Sequence, residues 1–247
     1  FGIEKLTTGL VTASVNAAGD NVGLDHLINA TSGIGLVRPN NVIEVTVSDN
    51  DGSATLPAAD LITLNSRTAG LINIPAGHTV SGSVDDLKTL FAVNEAAVTA
   101  TTQLTGLQAT AVAITYPTGV TSIAATDLNL LDGYTNQAVT GTPAVANSIS
   151  ITGVGALAAD GTSAVRTALT AVGNTITFGG NIPVVLSGNI TAAEAAIYAG
   201  LTTGAVTATI SDGTMTALGN IGAETGHAYT ITITDTSVDM GDLHTLN

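Results

Sequence analysis

The chain has 247 residues, no cysteine, and 19 acidic against five basic side chains, for a formal net charge of -14. A cysteine-free chain has no disulfide framework, no thiolate chemistry and no cysteine-based zinc site, and it suits a secreted bacterial protein. Two lysines and three arginines cannot neutralise a phosphate backbone or hold an anionic membrane surface, which excludes nucleic acid and membrane as partners.

Only 10% of the residues are charged while 45% are hydrophobic. The chain therefore has material for a core, and its surface must be built from Thr, Ser, Asn and Gly. The stretch from Ala96 to Thr126 carries no charge, yet Thr, Gln, Gly and Pro117 interrupt it too often for a membrane span. No signal peptide opens at Phe1, as expected of a processed or internal start.

In chain order, the first helix is expected over Leu24–Ala30, with Leu24, Leu27 and Ile28 on one face. Val42–Val47 alternates as a half-buried strand around Glu44, and Ser48-Asp49-Asn50-Asp51-Gly52 ends it. A helix over 58–68 follows, with Gly70 as a left-handed stop, and then a strand over Leu71–Ile74. Ser83 caps a second helix over 83–93, and Asp85 and Asp86 oppose its dipole. Strands are expected at 98–102 and 111–116, and a third helix at 126–132. A strand over 148–152 leads to a helix over 163–172. Short strands at 175–178 and 184–186 precede a helix over 191–200, opened by the capping box Thr191-Ala192-Ala193-Glu194. Val206–Ile210 is a strand, 214–220 a helical turn, 228–234 the last strand, and a final helix starts near Val238.

One five-residue phrase, Asp-Leu-x-x-Leu, recurs at Asp60–Leu64, Asp86–Leu90, Asp127–Leu131 and Asp242–Leu246. Its aspartates lie 26, 41 and 115 residues apart. The last interval contains three degenerate helices, one of which has Val165 and Leu169 in place of the leucines. A helix of about ten residues is marginal alone, and stacked units bury the leucines together. The fold class expected is α/β: a solenoid-like repeat array of short strand, turn and short helix with a parallel strand ladder. An all-β sandwich is the alternative. Residues 1–40 form an N-terminal segment that contacts a neighbouring copy, and 41–247 form the array, read as part of a longer chain. Leu61, Leu87, Leu128 and Leu243 should occupy equivalent sites, the first three of them buried.

The best cation candidate is Asp49 and Asp51 with Asp60, because calcium requires several oxygen ligands at once. The EF-hand pattern is not met, since Ala54 stands at the sharp-turn glycine and the terminal Glu is missing. An ordinary strand-to-helix turn uses the same residues. Asp235, Asp239 and Asp242 form a second acidic cluster. His26, His78, His227 and His244 are isolated. No nucleophile elbow and no phosphate loop is present, and Gly153-Val154-Gly155 reads as a turn. Glu194 is explained by its capping box. No catalytic residue is assigned, the chain is not expected to be an enzyme, and calcium is the one cofactor considered.

The phrases V-T-A-T-I-S-D (Val206–Asp212) and Y-T-I-T-I-T-D-T-S-V (Tyr229–Val238), with the Asp-Leu-x-x-Leu helices, resemble large repetitive bacterial cell-surface proteins, the giant secreted adhesins and matrix proteins of cyanobacteria and other Gram-negative bacteria. The likeness runs from Val42 onward. Leu131-Asp132-Gly133 resembles a step of phage tail-fibre repeats. The first resemblance implies export, a structural or adhesive role and no catalysis. The function expected is an extracellular structural protein that self-associates into a filament, sheath or surface layer. The alternative is an adhesin module that binds carbohydrate or another surface. A chain with no Trp, three Phe and four Tyr has few aromatic platforms for a polysaccharide. Phe1-Gly2-Ile3 at one end, and Leu243 and Leu246 at the other, are expected to contact another copy or further parts of a longer chain.

Overall fold

A strand that alternates apolar and polar residues can bury one face only, and β-branched Val and Ile suit that face. The computed structural model of the protein, which describes residues 12–17, 24, 28, 42–47, 53–96, 104–116, 120–135, 137–142, 150–155, 157, 161–172, 175–178, 181–222 and 225–246, is built on this rule. The strands are β1 (Thr12–Ala17), β2 (Val42–Val47), β3 (Thr55–Pro57), β4 (Ile72–Asn73), β5 (Thr79–Gly82), β6 (Leu104–Thr105) and β7 (Ala111–Thr115). They continue with β8 (Ser122–Ala124), β9 (Val139–Thr142), β10 (Ser150–Val154), β11 (Ile176–Phe178), β12 (Val184–Ile190), β13 (Val206–Ile210) and β14 (Ala228–Thr230). Helices α1 (Ala58–Asn65), α2 (Val84–Ala96), α3 (Ala125–Tyr134), α4 (Ala164–Ala171), α5 (Ala192–Ala199), α6 (Met215–Leu218) and α7 (Met240–Thr245) alternate with them. The chain divides into two units: 1–117 with 130–142, and 118–129 with 143–247. The division falls within α3, at a place the sequence does not mark.

In the first unit, β1, β2, β4 and β6 lie side by side in chain order, all parallel. Ile43, Val45 and Val47 of β2 are buried while Glu44 is exposed. Val45 stands beside Ile72, and Ile72 beside Leu104, giving a buried apolar row across β2, β4 and β6. A second parallel ladder holds β3, β5, β7 and β9, with Leu56, Val80, Val112 and Val139 in one buried row. Each such side chain is worth about 1.5–3 kcal/mol of burial. α1 follows β3 without a break and packs beside α2. Leu61, Leu64, Leu87, Leu90 and Phe91 fill the space they share with the ladder, and Phe91 stacks on Tyr134 at 5.4 Å between ring centres.

In the second unit, β8, β10, β12, β13 and β14 form one parallel sheet, again in chain order. Ile123, Ile151, Val184 and Val206 make its buried row. The partners along that row are 28, 33 and 22 residues apart. β13 buries Val206, Ala208 and Ile210 and exposes Thr207 and Thr209.

The fold is thus mixed α/β, with three parallel sheets and helices between strands. Every described strand pair is parallel, so the all-β sandwich alternative is set aside. The helices expected over 58–68, 83–93, 126–132, 163–172 and 191–200 are all present, and each is followed by a strand. Leu61, Leu87, Leu128 and Leu243 are each the fourth residue of their helix, and the first three are fully buried. Val165 and Leu169, the degraded pair, are also buried. Of the expected Leu24–Ala30 helix only Leu24 and Ile28 are described, both helical. The expected strand at 98–102 lies outside the described residues. Among the described residues no helix is long and apolar enough to cross a membrane.

Two glycine assignments are corrected. α1 ends at Asn65, so Gly70 is not its stop. A Cβ at Gly70 would lie 2.3 Å from the Ile43 carbonyl oxygen, so Gly is there because the strand backbone passes too close for any side chain. Gly153 lies within β10 rather than in a turn. A Cβ on it would meet the Val165 side chain at 2.7 Å, and one on Gly155 would meet Ile190 at the same distance.

Candidate functional site

Threonine hydroxyls add side-chain hydrogen bonds between successive segments. The Thr68 hydroxyl, buried at the turn between α1 and β4, donates to the Ile43 carbonyl at 2.7 Å. It accepts from the N–H groups of Ile43 (3.1 Å) and Gly70 (3.0 Å). The second unit repeats the arrangement. The Thr202 hydroxyl donates to the Ile182 carbonyl at 2.7 Å, Gly204 N–H donates back to it at 3.0 Å, and a Cβ on Gly204 would lie 2.2 Å from the Ile182 oxygen. Thr135 does the same between the Thr110 carbonyl (2.5 Å) and the Gln137 N–H (3.0 Å). Thr140, Thr152 and Ser211 donate to the carbonyls of Val112, Ile123 and Ile190 in neighbouring strands. These bonds are neutral and partly buried, so they do not weaken with ionic strength as ion pairs do.

The acidic side chains meet helix amides. Asp86 accepts from the Ser83 hydroxyl at 2.8 Å while Ser83 Oγ accepts the Asp86 N–H at 3.1 Å, as the capping expectation requires. Asp60, Asp127 and Asp242 stand in the first turns of α1, α3 and α7. In the second unit, two aspartates act across the sheet. Asp212 Oδ2 accepts the Ala192 N–H at 2.7 Å, and Asp235 Oδ2 accepts the Met215 N–H at 2.6 Å. Each lies 20 residues beyond the first residue of the helix it serves. The helix's own threonine, Thr191 or Thr214, takes the third amide. At each helix start one orphan donor is therefore satisfied by the cap threonine and another by an aspartate that follows the next strand.

The cation expectation meets this arrangement only in part. Asp49 and Asp51 lie outside the described residues, and Asp60 is half-buried at the start of α1. In the second cluster, Asp235 is bound to Met215 and Asp239 Oδ1 accepts the Gly241 N–H at 2.7 Å as the cap of α7. Among the described residues no three Asp, Glu or His side chains are grouped to hold a metal ion.

Glu194 completes its capping box: Oε2 accepts the Thr191 N–H (2.6 Å) and hydroxyl (2.9 Å). Oε1 accepts the Leu157 N–H at 2.7 Å, which ties a distant loop to the start of α5. Desolvation pushes this carboxyl up, but the three bonds from Thr191 and Leu157 together hold it below its ordinary value of 4.5. A depressed folded-state pKa means that the ionised carboxylate stabilises the fold above about pH 4.5 and that this contribution is lost as the pH falls through the lower folded value. Glu194→Gln is expected to be less stable than the wild type by about 1 kcal/mol at neutral pH. The gap should narrow in urea unfolding at pH 3. A gap that stays constant across that range would remove the carboxylate's charge from the explanation.

Tyr198, fully buried in α5, donates its hydroxyl to the Gly155 carbonyl at 2.7 Å. Ser163 Oγ lies 2.6 Å from the Tyr198 hydroxyl oxygen and accepts the Arg166 N–H at 3.1 Å as the cap of α4. Burial, first of all, raises the phenol above its ordinary value, so it works here as a neutral donor. The histidines stay apart. His78 Nδ1 is 2.8 Å from the Pro75 carbonyl oxygen, and His227 Nδ1 accepts the Val206 N–H at 3.1 Å with its ring against Tyr229. His244 is exposed on α7, and His26 lies outside the described residues.

Two recesses of similar size lie among the described residues of the second unit, beside a smaller one at His227 and Tyr229. One, of about 600 Å³, is lined by Thr126, Thr152, Ser163, Val185 and Ser187 with small neighbours, and none of its described lining residues is aromatic or charged. The other, of about 560 Å³, lies at the last strand and helix between Ile231, Ile233, Met240, Leu243, His244 and Leu246. Met240 is 80% exposed there and Leu243 43%. Leu243 is the one member of its equivalent set that is exposed.

Neither a family model nor any curated protein or solved structure matches the chain.

Proposed function

We propose that the chain is an extracellular structural repeat protein, in which successive strand–helix units stack as the coils of a solenoid and copies self-associate into a filament, sheath or surface layer. The observation that carries this reading is the Thr68, Thr135 and Thr202 contact, in which the hydroxyl at the end of one segment bonds the backbone of the strand before it. The same contact at three places, with buried rows that run from strand to strand, is the economy of a stacked array. The polar surface then serves neighbouring segments of the chain. None of the described residues lining the larger recess is aromatic, and the recess that carries His227 and Tyr229 is smaller, which supports the structural reading over a sugar-binding module.

Electron microscopy of the purified chain tests the reading. Regular filaments or lattices are expected, and they should persist in about 1 M sodium chloride, where the screening length is about 3 Å. A parallel wash with a calcium chelator tests whether calcium at Asp49, Asp51 and Asp60 adds to the contacts. Dissolution by salt alone would contradict contacts made by hydroxyls and apolar side chains. A monodisperse monomer that binds a glycan array would replace the structural reading with the adhesin one.

A further inference from the structure

In both units, residues of the buried rows pass their N–H to a backbone carbonyl of the next strand. Val45 N–H donates to the Leu71 carbonyl at 2.8 Å, Val112 N–H to Ala138 at 3.0 Å, Ile151 N–H to Pro183 at 2.9 Å and Val184 N–H to Ala205 at 2.8 Å. Each of these carbonyls belongs to the residue just before the buried partner, which is Ile72, Val139, Val184 or Val206. Val206 itself departs from the pattern. It stands one step before the Thr207–Ala228 pair, so its neighbour across the ladder is His227. Its N–H donates to His227 Nδ1, at 3.1 Å, rather than to a carbonyl. Gly226, whose carbonyl the pattern would use, sits in the left-handed region at φ 87°. A backbone N–H can only donate, so Nδ1 must carry a lone pair and the imidazole must be neutral. His78 in the first unit has the opposite arrangement. Its Nδ1 is 2.8 Å from the Pro75 carbonyl oxygen, which can only accept, so a proton there keeps the bond.

We propose that His227 is a proton-operated latch, which holds β14 to β13 while its imidazole is neutral and releases it in mild acid. Both nitrogens of a protonated imidazole donate. Protonation would therefore set a cationic N–H against the Val206 N–H and leave the amide of a fully buried residue without an acceptor. β14 has little else to hold it, since only Ala228–Thr230 pair with Thr207–Thr209. Further on the chain is tied again: Thr234 N–H donates to the Gly213 carbonyl at 2.8 Å, and Asp235 holds Met215. The release is therefore confined to the stretch between His227 and Thr234. The groups around the imidazole leave it as the one that titrates there. Tyr229 lies against the ring, 5.5 Å between centres, and a phenol does not titrate in mild acid. β13 is V-T-A-T-I and carries no charge. Ile221 and Gly222 after α6, and Thr245 and Leu246 at the end of α7, complete the recess without one. His244 lines the neighbouring recess, and Asp242 is exposed on the same helix. Opening uncovers the edge of β13, and an unpaired edge accepts another strand. Acid would thus present an edge that neutral pH covers.

A free histidine titrates at about pH 6.5. The open stretch takes up a proton there and the latched ring does not, so opening is favoured as the pH falls. Between pH 7 and 5 the opening equilibrium should rise by up to about 25-fold. Hydrogen exchange read by mass spectrometry at pH 7, 6 and 5, corrected for the intrinsic rate, measures it on peptides covering β13 and β14. In the wild type, the peptides with Val206 and with Ala228–Thr230 should lose protection about tenfold or more, while the β12 peptide with Val184, whose acceptor is a carbonyl, keeps its own. His227→Asn puts an oxygen where Nδ1 stands and does not titrate, so its protection should stay level across the series. Wild-type protection that does not change with pH overturns the latch. An asparagine variant that falls as steeply as the wild type assigns the effect to another group and also overturns it. Loss from β12 and β14 together is general acid unfolding, which overturns a local release. Should the variant fail to fold, the nitrogen chemical shifts of the wild-type His227 ring at pH 7 decide: a lone pair on Nδ1 is expected, and a proton there overturns the proposal.

Discussion

Replacing Thr68 with valine is expected to cost about 3 kcal/mol, because the substitution keeps the shape of the side chain and removes three hydrogen bonds at once. The Ile43 N–H, the Ile43 carbonyl and the Gly70 N–H would each lose a partner in a site that is 2% exposed. An unsatisfied buried group costs about 1–3 kcal/mol, and relaxation should return part of the sum. Thr68→Ser keeps the hydroxyl and loses one methyl, worth about 0.8 kcal/mol of burial. Urea unfolding of the two variants separates the causes. If serine costs as much as valine, the methyl's packing, and not the hydroxyl's bonds, holds the two segments together.

Leu87→Ala should be as severe or worse, at about 2–5 kcal/mol, since a fully buried leucine leaves a cavity in addition to its lost transfer energy. Its helix α2 packs beside α1 and against β5, two neighbours that are themselves fixed by backbone hydrogen bonds and cannot collapse far into the void. Leu130→Ala is the matched control. Leu130 lies in the same five-residue phrase of α3 but points outward and is 40% exposed, so its truncation should fall within about 0.5 kcal/mol of the wild type. A small effect at Leu87 would mean that the recurring phrase does not mark the core. Equal effects at Leu87 and Leu130 would mean that helix propensity, not burial, makes the phrase matter.

The candidate contacts were legible where both partners are close in sequence. Ser83 with Asp86 and Thr191 with Glu194 are pairs three residues apart, which a helix start brings together without help from the rest of the chain. Asp212 and Asp235 were not legible as helix caps, because their partners lie 20 residues away in the preceding segment. A sequence cue exists all the same. Both follow an alternating strand through an apolar residue and a hydroxyl, in Ile210-Ser211-Asp212 and Ile233-Thr234-Asp235. Val47-Ser48-Asp49 has the same order, so the residue type that suggested calcium there is also the type that serves an amide elsewhere.

Amphipathic helices, their capped starts and their buried leucines were determined by the sequence itself, because an apolar pair at three-residue spacing and a polar cap act within one or two turns. The alternating strands β2 and β13 belong with them. Tertiary structure alone decided the short strands β3, β5, β8 and β9. Each contributes one residue to a buried row, Leu56, Val80, Ile123 and Val139, and three or four residues are too few to show a period of two. It also decided the place of Gly70 and Gly204, whose missing side chains make room for a backbone 20 or more residues away. The division within α3 belongs here too. The physical reason is common to all three. The parallel sheet of the second unit pairs residues 20 to 33 positions apart, at intervals that change from strand to strand, so that no fixed repeat in the sequence announces which backbone will lie beside which.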